Sequence, residues 1–163
     1  MHIYINNKFI SYGNYKAKCA IGKRGISIKK KEGDLITPKG TFKIREIFYR
    51  KDRVQNLITR FKKTVIRKNM GWCDDPKSKK YNKLIYFPFK YGAEKLYRRE
   101  NIYDIILVLN FNMNPIKKNK GSAIFIHVAK KNFQPTQGCI VLNKNELINL
   151  LKSIKKNTVV KII

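Results

Sequence analysis

The chain has 163 residues, with 37 lysines and arginines against 10 aspartates and glutamates, and a formal net charge of +27. This length suits one domain with a buried core, and a hydrophobic fraction of 43% argues against a disordered chain. No apolar run is long enough to span a bilayer. We therefore expect a single globular domain over residues 1–163.

The positive charge has two interpretations. It suits attraction to a polyanion, either nucleic acid or an anionic envelope polymer. Alternatively, it is a background abundance of lysine, because the lysines are spread along the chain rather than gathered in one tract. Runs of lysine lie between apolar segments, where solvated loops are expected: Lys29 to Lys31, Lys62-Lys63, Lys117-Lys118 and Lys155-Lys156. No nucleic-acid-binding motif accompanies them, so we favour the background interpretation and expect no specific nucleic-acid partner.

Strands dominate the predicted elements at the start of the chain. Alternating apolar and polar residues predict strands over residues 2–6, 9–12, 15–21 and 41–49. A basic, glycine-punctuated loop over residues 22–40 ends in the turn segment Thr-Pro-Lys-Gly. Because the alternation begins at once, the N-terminus lacks the continuous apolar core of a signal peptide, which predicts a cytoplasmic protein.

In the rest of the chain, the elements of residues 50–100 are harder to predict than those that follow. Residues 50–100 are polar and contain prolines, which predicts loops and short helical turns, with one helix over Ala93 to Arg99. Apolar runs then predict buried strands at residues 104–110, 123–129 and 138–142, and a closing strand at residues 158–163. Before that closing strand, Asn143 and Glu146 form a capping box for a helix with apolar residues Leu147, Ile148, Leu150 and Leu151. Together the elements predict a mainly β fold with two or three short helices.

The cysteine pattern points to free thiols. Cys19, Cys73 and Cys139 are widely spaced and include no CxxC pair, which suits neither a disulfide framework nor a metal site. Only His2 and His127 could add imidazole ligands, so we expect no metal and no organic cofactor. Each thiol is then either a buried structural residue or a catalytic one.

One pair of residues has the spacing of a catalytic dyad. His127 lies inside an apolar strand, and Cys139 follows twelve residues later at the start of another. If a hairpin-like loop over residues 130–137 joins two adjacent strands, the imidazole can take the thiol proton and create a nucleophile. Gly138 permits a tight bend that brings amides near the thiol, where they can receive an oxyanion. On spacing alone, the alternative of a buried cysteine and a hydrogen-bonded core histidine stays open.

Longer segments extend this pattern into a resemblance. Residues 121–142 (GSAIFIHVAKKNFQPTQGCIVL) resemble the catalytic signature of the L,D-transpeptidase (YkuD-type) family, a strand histidine followed by a Thr/Ser-x-Gly-Cys turn. Residues 29–53 resemble the family segment that ends in T-P-x-G-x-F. Residues 71–82 and 93–112 are similar to segments of a bacterial single-domain subgroup. The resemblance thus covers nearly the whole chain in the expected order.

Two positions depart from the family pattern. Gln137 stands where many relatives carry a histidine between the Thr/Ser and the glycine. Ile140 and Val141 stand where many relatives carry an arginine shortly after the cysteine. These changes concern the contacts around the thiol and the recognition of a substrate carboxylate, and they leave the histidine and the cysteine in place.

The resemblance implies a YkuD-like β-sandwich or mixed sheet, and a cysteine acyltransferase. Cys139 would attack the carbonyl between meso-diaminopimelate and the terminal D-alanine of a peptidoglycan tetrapeptide stem, with His127 as general base and acid. Thr136, Gln137 and Gly138 would shape the turn, with the amides of Gly138 and Cys139 as oxyanion donors. The thioacyl enzyme would then meet an amine, in a transpeptidation, or water, in an L,D-carboxypeptidase reaction.

Five further residues are candidates for the substrate cleft. Trp72, Cys73 and Asp74 could line it, the alternative being an aromatic residue packed under a loop. Arg98 and Arg99 could bind a carboxylate of the stem peptide, the alternative being the solvated face of a helix.

Two other functions remain in view. The missing signal peptide favours a cytoplasmic L,D-carboxypeptidase in peptidoglycan recycling, and the charge favours a basic, non-catalytic polyanion-binding module. The family role instead suggests the periplasm or cell envelope, cell-wall biogenesis and cell shape. We expect peptidoglycan stem peptides as the partner and a monomeric protein.

Overall fold

A computed structural model describes residues 1–163 as fourteen strands, one α-helix and one 3₁₀ turn. The strands are β1 (Ile3–Ile5), β2 (Phe9–Tyr12), β3 (Tyr15–Ala20), β4 (Ile26–Ser27), β5 (Thr37–Pro38), β6 (Gly40–Tyr49), β7 (Lys63–Val65), β8 (Met70–Cys73), β9 (Leu84–Tyr86), β10 (Ala93–Lys95), β11 (Ile105–Leu109), β12 (Phe125–Val128), β13 (Ile140–Leu142) and β14 (Val159–Ile162). The helix α1 spans Lys144–Ser153, and the 3₁₀ turn spans Asn101–Tyr103. The predicted mainly β fold is confirmed, although the expected two or three helices reduce to one.

Nine strands form one mixed sheet that closes on itself. Its order is β11-β12-β13-β3-β2-β1-β14-β6-β7, and β6 also pairs with β11. The length of β6 makes this closure possible: its first four residues pair with β14, and Ile44–Tyr49 pair with β11. A separate three-stranded sheet, in the order β10-β8-β9, is built from residues 70–95.

The closed sheet buries apolar side chains on both of its faces where β11 and β12 run. One face contributes to a core cluster of 27 residues, which also takes in Leu147, Leu150 and Leu151 of α1. The opposite face contributes to a second cluster of nine residues, among them Ile106, Val108 and Phe125. Trp72 of β8 belongs to this second cluster, so the small sheet packs against the large one there.

The predicted strands at both ends of the chain are confirmed, with bounds that shift by one or two residues. The predicted helix is also confirmed, but its capping differs from the expected box. Asn143 caps α1 by accepting a hydrogen bond from the Asn145 amide at 3.0 Å. Glu146 instead accepts the hydroxyl of Tyr15 at 2.6 Å and ties the helix to β3.

Two predicted elements are wrong. No helix forms over Ala93 to Arg99, because β10 occupies its start and pairs antiparallel with β8, Ala93 opposite Cys73. Nor do β12 and β13 form a hairpin: they pair in parallel, so residues 129–139 cross over between them. In both cases long-range pairing outweighs the local pattern. No helix of the chain is long and apolar enough to cross a membrane.

Candidate active site

A cavity of about 450 Å³ opens beside β12 and the turn that precedes β13. Its wall combines this turn with the loop after β4, the end of β8, β10 and the 3₁₀ turn. Both His127 and Cys139 line it. The closed sheet therefore brings the two predicted catalytic side chains to one space.

Strand alternation places the pair on the same side of the sheet. His127 pairs with Val141, and Cys139 lies two residues before Val141, so the two side chains project to one face. Their neighbours in the chain, Ile126 and Ile140, project to the other face. Both are completely buried in the larger cluster there. Side chains of these apolar runs thus alternate between the core and the cavity, which the sequence pattern does not show.

The thiol of Cys139 is held in its protonated form. Its Sγ donates to the Ala123 carbonyl at 3.1 Å and accepts the Phe125 amide at 3.4 Å. Burial, and after it the negative charge of Glu94, raises the pKa of Cys139 to about 12. The Phe125 amide and the Lys29 ammonium act in the opposite direction but do not outweigh burial.

The imidazole of His127 has one nitrogen bound and one free. Its Nδ1 lies 3.1 Å from the carbonyl oxygens of Ile102 and Val128. Carbonyl oxygens only accept hydrogen bonds, so Nδ1 carries the proton and Nε2 presents a lone pair. Nε2 has no protein partner, yet it is not sealed from solvent, so it reaches the cavity. Burial lowers the pKa of His127 to about 4.

Both groups are therefore neutral near physiological pH, and no hydrogen bond joins them in this state. Burial raises the pKa of the thiol, and His127 is not among the groups that lower it. A protonated thiol and an unprotonated Nε2 are nevertheless the two states that a proton transfer from sulfur to nitrogen requires. The arrangement suits a base that acts during nucleophilic attack rather than a preformed thiolate–imidazolium pair.

The turn before β13 is organised by Thr136. Its Oγ1 accepts the Gly138 amide at 3.0 Å and donates to the Cys139 carbonyl at 2.6 Å. The Gly138 amide is thereby engaged within the turn, whereas the Cys139 amide has no acceptor in the protein. Of the two amides expected to receive an oxyanion, only that of Cys139 is free. Gln137, beside them, also lines the cavity.

Glycine is required at position 138 for two reasons. Its φ of +142° is strained for any residue with a side chain, and a Cβ there would lie 2.9 Å from the Ile36 carbonyl oxygen. The Thr37 hydroxyl donates to the Gly138 carbonyl at 2.8 Å and accepts the Gly22 amide at 2.8 Å. The Thr-Pro segment of the sequence thus supports the turn that carries Cys139.

Carboxylates are concentrated in the cavity wall. Glu32, Asp74 and Glu94 line it, three of the ten acidic residues of a chain with a net charge of +27. Glu94 accepts the Tyr103 hydroxyl at 2.7 Å and the Arg98 guanidinium at 3.1 Å, and Asp74 has no ion-pair partner. Burial raises the pKa of both Glu94 and Asp74.

The two arginines proposed for carboxylate binding are separated by the structure. Arg98 lines the cavity, and its guanidinium also lies over the Tyr103 ring at 4.9 Å. Arg99 is exposed and lies outside the cavity wall. The alternative of a solvated helix face does not apply, because this segment is not helical.

The three residues at the end of β8 also divide. Asp74 lines the cavity, whereas Trp72 and Cys73 are buried and do not. The Trp72 indole nitrogen donates to Asn82 at 3.0 Å, and its ring packs edge-on against Phe125 at 5.3 Å. Trp72 therefore supports the strand beneath the site, as in the alternative interpretation of this residue.

Among the wall residues that sequence reasoning missed are Lys29, Glu32, Glu94 and Tyr103. Lys29 was expected in a solvated loop, yet its side chain is only 2% exposed. Because the chain has few carboxylates, each one was a candidate for a functional role, and this was the one available signal for Glu32 and Glu94. Nothing local distinguished Lys29 from the other lysines.

A comparison with protein families matches nearly the whole chain. The family model of the YkuD L,D-transpeptidase catalytic domain matches residues 1–162. No curated protein matches the chain. The match leaves out a single residue of the chain and includes every residue of the cavity. The chain therefore belongs to the YkuD family of L,D-transpeptidase catalytic domains.

Proposed function

We propose that the protein is a cysteine acyltransferase acting on peptidoglycan tetrapeptide stems, with Cys139 as nucleophile and His127 as general base and acid. The observation that carries the proposal is a protonated thiol and a free imidazole Nε2 facing one cavity. Membership of the L,D-transpeptidase family supports the class of reaction. The proposal includes residues 1–163 as one catalytic domain.

In the first step, Cys139 attacks the carbonyl between meso-diaminopimelate and the terminal D-alanine. The thiol turns away from the Ala123 carbonyl, and its proton passes to Nε2 of His127 as the carbon–sulfur bond forms. The carbonyls of Ile102 and Val128, which accept the Nδ1 hydrogen, stabilise the imidazolium that results. The free Cys139 amide donates to the developing oxyanion.

In the second step, the tetrahedral intermediate collapses. His127 returns its proton to the leaving nitrogen, D-alanine departs, and a thioester remains on Cys139. An amine acceptor then attacks the thioester, His127 removes its proton, and a new amide forms as the thiol is released. Water in place of the amine gives the free acid, the L,D-carboxypeptidase outcome.

The charges of the cavity wall support this substrate. The side chain of meso-diaminopimelate ends in an ammonium and a carboxylate. Asp74 and Glu32 offer negative charge for the ammonium, and Arg98 offers a guanidinium for the carboxylate. A cavity with three carboxylates disfavours a polyanion, so it argues against the basic, non-catalytic binding module.

The test is incubation with a tetrapeptide stem, followed by mass spectrometry of the protein and of the products. We expect release of D-alanine and a thioacyl adduct on Cys139, both lost in Cys139→Ala. Cys19→Ala is the matched control, because Cys19 is a buried cysteine of the larger core cluster and lies outside the cavity. Release of D-alanine by Cys139→Ala, or no release by the unaltered protein, contradicts the proposal.

The same experiment separates the two outcomes of the thioester. With an amine acceptor added, a transpeptidase gives a cross-linked product, whereas a carboxypeptidase gives the tripeptide acid whether or not the amine is present. The ratio of the two products at several acceptor concentrations assigns the activity.

A further inference from the structure

Lys29 forms an ion pair inside the wall of the cavity. Its Nζ lies 2.6 Å from Oδ1 of Asp34, and the two side chains are 2% and 3% exposed. Removing two charges from water costs several kcal/mol per ion, so such a pair adds little net stability compared with apolar residues of the same size. Its place in the wall suggests a role at the site.

The ammonium lies directly behind the turn that carries the nucleophile. Nζ of Lys29 also donates to the Ile36 carbonyl at 3.3 Å, and it is 3.6 Å from the point where a Cβ would lie on Gly138. Gly138 immediately precedes Cys139. An ammonium has three donors, and only two have protein acceptors here. One donor of the ammonium thus has no protein acceptor, and Lys29 lines the same cavity as Cys139.

This position is held by many contacts. Both oxygens of Asp34 are in use, since they accept the amides of Lys30, Lys31 and Ile36 in addition to the ammonium. The pKa of Asp34 reflects these contacts: burial raises it, but the hydrogen bonds, led by that from Lys29, lower it to about 2. The carboxylate is therefore charged at any pH at which the enzyme works, and it fixes the ammonium.

The other groups around Cys139 do not supply positive charge. Glu94 on β10 is negative and opposes a thiolate. Tyr103 on the 3₁₀ turn and His127 on β12 are neutral, because burial raises the pKa of the phenol and lowers that of the imidazole. Arg98 also lines the cavity, but it is bound to Glu94, the carboxylate that opposes the thiolate, and Lys130 is exposed, so solvent screens its charge. Lys29 is the cation that acts on the thiol.

We propose that Lys29, fixed by Asp34, is a positioning residue that stabilises the negative charge on Cys139 as its thiol gives up a proton. The proton leaves to Nε2 of His127 or to solvent, and no other bond changes. The inference rests on the proposed function only in taking Cys139 as the reactive thiol.

The test is the pH dependence of alkylation of Cys139 by iodoacetamide, measured by mass spectrometry of the peptide that contains this residue. In Lys29→Met we expect the profile to move up by about one pH unit, so that alkylation at a given pH is about tenfold slower. Lys39→Met is the matched control: Lys39 is exposed, lies in the same segment and changes the net charge equally. Its profile should coincide with that of the unaltered protein.

A second variant keeps the test decisive if Lys29→Met does not fold. Lys29→Met alone leaves Asp34 buried and unpaired, so Lys29→Met/Asp34→Asn removes both charges together, with folding followed by circular dichroism. A smaller upward shift is expected in the double variant, because it also removes the negative charge of Asp34, which opposes a thiolate. A folded Lys29 variant with an unchanged profile overturns the inference.

Alkylation needs no peptide substrate, which keeps this test separate from that of the proposed function. If Cys139 of the unaltered protein reacts and Lys29→Met slows it, but no tetrapeptide is processed, only the proposed function fails. If the tetrapeptide is processed and the Lys29 variants react like the unaltered protein, only the present inference fails.

Discussion

The two faces of β12 and β13 differ sharply although they come from the same short stretches of chain. On the core face, Ile126 and Ile140 are completely buried among apolar side chains. The cavity face carries His127, which follows Ile126 in β12, and Cys139, which directly precedes Ile140. Both side chains line a space of about 450 Å³. Full apolar contact stabilises the first face, whereas the second face leaves polar atoms without a protein partner.

The difference between the faces shows how burial changes the protonation state of a side chain. The same sheet that excludes water from the core also partly dehydrates the thiol and the imidazole, and so favours the neutral form of each. The polar groups of the cavity face are then held by backbone carbonyls and amides. Within the thiol and the imidazole, only Nε2 of His127 is left without a protein partner. Substitutions on the two faces should therefore affect different properties.

The largest effect is expected for His127→Ala on the cavity face. Loss of the base should slow acylation of Cys139 by a tetrapeptide stem by about 100- to 10,000-fold. Substrate binding should change much less, because the base acts only as the thiol gives up its proton. Single-turnover kinetics measures the rate; an unchanged rate would show that His127 is only a structural residue.

The pH dependence of acylation sharpens this assignment. Because the pKa of His127 is lowered to about 4, Nε2 stays unprotonated through neutral and mildly acidic pH. The rate should remain level down to about pH 5 and fall as the pH drops through about 4, where the imidazole becomes charged. A fall centred near pH 6.5, the value of an unperturbed histidine, would contradict this environment. Circular dichroism over the same range separates unfolding from titration.

On the core face, Ile126→Ala should act in the opposite way. The side chain is completely buried, so its truncation leaves a cavity and should lower the free energy of unfolding by about 2–5 kcal/mol. Urea denaturation measures this loss. The acylation rate per folded molecule should stay within about threefold, since Ile126 points away from the thiol. A large loss of rate in a fully folded Ile126→Ala protein would break the comparison between the faces.

The smallest effect is expected from salt. Between low and moderate salt, turnover of a small tetrapeptide should change by less than about twofold, because a screening length of about 8–10 Å barely reaches charges inside a cavity. Binding to DNA or to intact sacculi, which depends on the outer lysines, should weaken steeply over the same range. If turnover collapses with salt while the thiol keeps its reactivity, lysines of the cavity rim take part in substrate recognition, with Lys130 the first to test.

Much of the molecule could be predicted from local patterns. Alternation located the strands at both ends of the chain, and the apolar run after Asn143 located α1. The spacing of His127 and Cys139, with the segments around them, was sufficient to identify the family. These features are legible because strand period, helix capping and a short motif each depend on neighbouring residues.

The middle of the chain was harder because its strands are short and are stabilised by partners rather than by their own pattern. β10 has three residues and exists through its pairing with β8. Arg98 and Arg99 are adjacent in the sequence, but only Arg98 reaches the cavity. Local propensity carries no information on such placements, since it does not include the partner strand.

By itself, then, the sequence determined a mainly β chain of this family, with one histidine and one cysteine as the candidates for catalysis. The tertiary structure decided the parallel pairing of β12 and β13, the neutral state of both groups, and the place of Lys29 beside them. The contacts responsible join distant parts of the chain; Thr37, for example, supports Gly138 across 101 residues. Burial and charge at a site are sums over such contacts, so they exist only once the chain has closed around it.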